Sequence, residues 1–136
     1  MSAMQRFAWF NLAIIAFTLV AVFSLLPLLG KGALGGFGFL GFLGFSPFFF
    51  RKKPGQVLID ERDQQIQRRS FVLAYSVCWV VFVLAAVYLS AAVYGPDGAV
   101  PVLVVQYSVF CGFMLMQAVG AIAILVQYGR GSKDAE

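Results

Sequence analysis

Residues 33–50 read ALGGFGFLGFLGFSPFFF, without a single charge, and follow Gly30-Lys31-Gly32 directly. A run of that kind needs either lipid or a large protein core around it. The chain has 136 residues, 61% of them hydrophobic and 12% charged, whereas a soluble domain is about half apolar and about a quarter charged. Too few polar side chains exist to cover a water-facing surface, so the medium around most of this chain is lipid. Crossing the hydrocarbon core takes about 20 apolar residues at ~1.5 Å each. Outward from the quoted stretch, three more segments qualify, at about 7–29, 70–94 and 99–128. The expected fold is therefore all-α: a single membrane domain over 1–136 with four transmembrane helices, spans at about 7–29, 33–50, 70–94 and 99–128, and a loop at 51–69.

The connections fit that count. Gly30 to Gly32 makes a tight hairpin, and Tyr94-Gly95-Pro96-Asp97-Gly98 is a turn, with Pro101 in the first turn of the next helix, where a missing N–H is tolerated. The first segment is too long for a signal-peptide core and leads straight into a hairpin. Orientation follows from Lys and Arg alone. With four spans, Arg6, Arg51, Lys52, Lys53, Arg62, Arg68, Arg69, Arg130 and Lys133 share one side, and Lys31 is alone on the other. Both termini and the 51–69 loop are thus expected on the cytoplasmic side.

The chain has no histidine, and no Asp, Glu, Lys or Arg falls inside the four segments. Proton-coupled pumps keep an ionisable group at mid-depth, so that class is disfavoured. Asn11, Thr18, Gln106 and Gln117 are candidates for interhelical polar contacts, because amides and hydroxyls in lipid seek partners across helices. Gln106 and Gln117 stand on nearly one helical face and would alternatively line a path for a small solute. Counted from the basic edge, Cys78 lies ~12 Å deep and Cys111 ~25 Å deep, too far apart in level for a disulfide.

Gly35, Gly38, Gly41 and Gly44 recur every third residue, with Phe37, Phe39, Phe42 and Phe45 between them. On an α-helix each third residue advances by 300°, so the row winds around the cylinder and lets neighbours approach closely from several sides. Helix packing is the role expected of these four glycines. In the loop, the run DERDQQIQRR at 60–69 places acids first and Arg68-Arg69 last. Asp60 fits an N-cap with Asp63 three residues on, so Asp60, Glu61, Arg62 and Asp63 read as a capping and docking element. Adjacent Asp60 and Glu61 point apart on a helix, and no second acidic cluster complements them. Neither a catalytic nor a metal role is expected, and the protein is not expected to be an enzyme.

Leu40 to Phe45, LGFLGF, followed by a basic stop and then Asp60-Glu61-Arg62, resembles small prokaryotic membrane proteins grouped as a family of unknown function, with a Gly/Phe/Leu-rich second helix and a cytoplasmic D-E-R motif. The resemblance implies a multi-pass protein of the bacterial or archaeal cytoplasmic membrane and carries no catalytic role with it. The expected function is action through helix–helix contacts, as a homo-oligomer or an accessory subunit, with a passive channel lined by Gln106 and Gln117 as the alternative. Expected partners are membrane lipid and other membrane subunits, not nucleic acid. No cofactor is expected; non-covalent lipid or carotenoid against the Phe-rich segment would need no ligand motif.

Overall fold

Ser2 starts the first helix. Its hydroxyl accepts the Gln5 N–H at 3.2 Å, and the Gln5 side chain accepts the Ser2 N–H at 2.8 Å, so two orphan donors are satisfied reciprocally. In the computed structural model, which describes residues 2–48, 60–95 and 98–133, this helix (α1) runs Ala3–Leu29. Pro27 removes one backbone donor near its end. Gly30, at φ +52, then takes a backbone conformation that side chains resist, and the chain folds back.

The returning segment, Gly30–Phe48, is a 3₁₀ helix rather than an α-helix. Such helices are usually short, because residues i and i+3 eclipse. The period-three sequence turns that eclipsing to advantage by sorting residues into three straight rows. Gly35, Gly38, Gly41 and Gly44 form one row with no side chains to collide, and all four are exposed. Phe39, Phe42 and Phe45 form a second. Their rings stack at 6.2 and 5.8 Å, close to the ~6 Å rise of one 3₁₀ turn and within the favourable range for offset aromatic pairs. Leu34, Phe37, Leu40 and Leu43 form the third and face the core. The glycine row therefore does not wind around the helix, because three residues per turn, not 3.6, set its path.

The core lies between α1, the 3₁₀ helix and the last helix, α3 (Val102–Lys133). Ile15, Val22, Phe37, Leu40 and Met114 are buried together there. Phe37 stacks on Phe110 at 4.7 Å and meets Tyr107 edge-on at 5.8 Å. Phe17 and Phe39 meet edge-on at 4.8 Å across the α1–3₁₀ hairpin. The remaining helix, α2 (Glu61–Tyr88), packs on α3 and contributes no residue to this core. Along α2 only Ile66, Ser70 and Ala74 are buried, and a π-helical turn, Leu89–Val93, continues it.

Among the described residues there is no strand, and three helical stretches are long and apolar enough to cross a membrane: Ala3–Phe45, Glu61–Val93 and Val102–Gly129. The first contains both N-terminal segments expected as separate crossings; their helical runs are continuous but doubled back at Gly30. The basic stop at 51–53, the loop residues up to 59 and Pro96-Asp97 lie outside the described residues.

Candidate functional site

The α2–α3 pair carries the polar contacts between helices. Asp60 is the N-cap of α2, its carboxylate accepting the Asp63 N–H at 2.8 Å. That leaves the Asp63 carboxylate free to accept the Tyr128 hydroxyl from the last turns of α3. One turn or two further on, the Gln127 side-chain amide donates to Ser70 Oγ at 2.9 Å, and Ser70 is only 1% exposed. Ser2, at the start of α1, also reaches the Tyr128 hydroxyl, so three helix ends converge there. Glu61 and Arg62 remain exposed. No three His, Cys, Asp or Glu side chains come together among the described residues, and the arrangement is that of a clasp.

Above the clasp the helices stay close through small residues: a Cβ added to Gly120 would sit 3.6 Å from the Ala74 methyl. The Cys78 thiol then donates to the Gly112 carbonyl at 3.4 Å. This contact corrects the depth estimate for the cysteines. Cys111 adjoins Gly112, so the two cysteines stand at nearly one level; both are free. The estimate assumed that Ser70 and Tyr128 mark the same edge. Ala74, four residues past Ser70, instead stands against Gly120, eight residues before Tyr128, which displaces α3 by about one turn toward the clasp.

The residues expected to join helices behave otherwise. Thr18 is fully buried, but its hydroxyl donates to Ile14 O of its own helix at 2.8 Å, the usual back-bond of a mid-helix Thr. Asn11 is buried, and its Oδ1 has no hydrogen-bond partner among the described residues. Gln106 is exposed and Gln117 half-buried, and neither side chain has a hydrogen bond among the described residues. Among the described residues, the side-chain bonds that do join α2 and α3 use Asp63, Tyr128, Ser70, Gln127 and Cys78. Pattern alone could have flagged Gln127, an amide near a span end, but its partner depends on register.

Gly35, Gly38, Gly41 and Gly44 are not packing sites within one chain: a Cβ at any of them would meet nothing within 4 Å. The glycine that packs is Gly36, in the neighbouring row. A Cβ there would lie 2.9 Å from Val22 Cγ2 and 3.3 Å from the Val22 backbone. Gly36 therefore lets α1 and the 3₁₀ helix touch backbone to backbone.

On the other side of α3, beyond Cys78, its outer half and that of α2 border an open apolar groove, walled by residues such as Val81, Phe82, Ala85, Val104 and Val109.

Long apolar helices, a core confined to one side of α3, and a broad exposed apolar surface on α2 together define an all-helical, multi-pass membrane protein. The family described as Predicted membrane protein (DUF2178), whose function is unknown, matches residues 4–130, and the chain belongs to it. No curated protein and no solved structure matches the chain.

Proposed function

We propose that this protein acts in the cytoplasmic membrane of a bacterium or archaeon through helix–helix contacts, first as a homo-oligomer and otherwise as an accessory subunit of a membrane complex, without catalysis. The observation that carries this reading is the bare row Gly35, Gly38, Gly41 and Gly44, exposed and unopposed on a helix whose other two rows are occupied. Small-residue surfaces let backbones approach closely, which is how helices associate where lipid removes the hydrophobic driving force.

The same reading makes the Gly30–Phe48 helix a crossing of its own. Nineteen residues at ~2.0 Å per residue span ~38 Å, against ~30 Å of hydrocarbon. With four crossings, the nine-to-one basic asymmetry puts both termini and the Asp60–Asp63 cap in the cytoplasm. Reporter fusions after Glu136 and in the 94–98 turn test the topology; a periplasmic signal at Glu136 refutes it. Size in mild detergent, compared with that of Gly38→Leu and Gly41→Leu, tests the association. Smaller species for both variants support it, and unchanged size refutes it.

The alternative is a passive path for a small solute lined by Gln106 and Gln117. Gln106 is exposed on the single chain, so such a path would run between copies. Solute flux in proteoliposomes separates it from a purely structural oligomer.

A further inference from the structure

The two sides of α2 differ at its charged end. Asp63, Ile66, Ser70 and Ala74 form the side that meets α3 or lies buried beside it. Gln65, Arg68, Arg69, Val72, Leu73 and Ser76, at the three- and four-residue spacings of one helix face, are all exposed and line a shallow recess on the other side. Arg68 and Arg69 make no ion pair among the described residues. Of the acids that open the helix, Asp60 caps it and Asp63 takes the Tyr128 hydroxyl on the α3 side. Glu61 is exposed two turns before Arg68 and is likewise unpaired among the described residues. Residues 49–59, which lead into α2, carry three more cations and no acid. Two guanidinium groups thus share one surface with no countercharge among the described residues.

Their level decides what can supply it. Arg69 is the last charged residue before the apolar run of α2, and Phe71, Val72 and Leu73 are exposed directly after it. The guanidinium groups therefore stand where hydrocarbon gives way to lipid headgroups. The recess continues past them: Ser76 lies ~10 Å beyond Arg69 at ~1.5 Å per residue, within the hydrocarbon. A soluble anion would neutralise the arginines and leave Val72 and Leu73 as they were. A zwitterionic lipid presents a phosphate but carries its own ammonium beside it. An anionic phospholipid matches both halves, with charge at Arg68 and Arg69 and an acyl chain below. The planar guanidinium fork suits a phosphate, because it can donate two parallel hydrogen bonds to two oxygens. The Gln65 amide, one turn away, is a further donor.

We propose that Arg68, Arg69 and Gln65 bind the phosphodiester of an anionic phospholipid, with one of its acyl chains lying along Val72 and Leu73. The proposal rests on the membrane location and not on the glycine-face association, so either can fail alone. The test uses the full-length chain in a nonionic detergent, titrated with phosphatidylglycerol or with phosphatidylcholine of the same acyl chains. Native mass spectrometry reads the first bound lipid. Phosphatidylglycerol should bind about tenfold more tightly, since each basic group near an anionic lipid is worth about fivefold in affinity. Arg68→Gln and Arg69→Gln should each weaken phosphatidylglycerol several-fold, and the double variant should bind the two lipids alike. Both side chains are exposed, so melting of the variants should match that of the wild-type chain. Arg6→Gln removes the same charge from an exposed position on α1, whose start reaches Tyr128 at the same membrane edge; it should leave the preference intact. Three results would each overturn the proposal: equal affinity for the two lipids in the wild-type chain, an equal loss on Arg6→Gln, or displacement of phosphatidylglycerol by inorganic phosphate beyond that by chloride at the same ionic strength.

Discussion

The two helix pairs of this protein are closed by different means. Among the described residues the α1–3₁₀ pair is joined by apolar contact: Gly36 brings the Val22 backbone near, and Phe17 meets Phe39 edge-on. Thr18, its buried hydroxyl, is bonded within its own helix. The α2–α3 pair is joined by polar side chains at one end, Asp63 to Tyr128 and Ser70 to Gln127, and it opens into a groove at the other. A pair held by a clasp has one firm end and one end that can admit something else. The contrast teaches that in lipid, where burial gives helices little reason to associate, local backbone access and a few hydrogen bonds decide where two helices touch.

Substitution can break the comparison, and the largest effect should fall on the contact-closed pair. Gly36→Leu pushes a side chain into the Val22 backbone, and overpacking of this kind costs about 1–3 kcal/mol or more. A steep loss of folded protein in a detergent thermal-stability assay is expected, whereas Gly38→Leu, one row away, should leave the single chain's melting unchanged. Equal melting of both variants would mean that the rows are not sorted as described.

The clasp should be the next most sensitive. Ser70→Ala strands the half-buried Gln127 amide and Tyr128→Phe releases Asp63. Interhelical hydrogen bonds in membranes are worth about 0.6–1.7 kcal/mol. Each change should lower stability by about that amount, and the pair should be less than additive if the two bonds close one joint. Full additivity would make them independent contacts.

Asp60 should matter less and more locally. As the N-cap of α2, it should tolerate Asn or Ser, and Asp60→Ala should cost about 1 kcal/mol. Comparing expression and stability of the three variants checks this. Equal loss in all three would give the carboxylate a role beyond capping.

How much of this could be read from residues differs between the same two regions. The long apolar helices, the reversal at Gly30 and the start of a helix after Asp60 follow from hydropathy, glycine and capping chemistry. The helix type of residues 30–48 did not follow from hydropathy, which does not distinguish i+3 from i+4 hydrogen bonding. The period of the glycines was the signal, and it points to 3₁₀ only once the winding is not assumed to be 3.6 residues per turn. The clasp was hidden because its partners are 57 and 65 residues apart, and a slide of one turn between α2 and α3 exchanges every partner. Amides such as Asn11 and Gln117 mark where a bond is wanted, not where its partner stands.

The central claim, that the glycine row is a single face through which copies meet, is tested most directly by disulfide scanning. Cysteine is placed in turn at each position from Gly35 to Phe45, in a chain with Cys78→Ala and Cys111→Ala, and native membranes are oxidised and run on non-reducing gels. The account predicts cross-linked dimer at Gly35, Gly38, Gly41 and Gly44 and little at the positions between them, a pattern with period three. Dimer recurring every 3.6 residues, or absent at all four glycine positions, would contradict it.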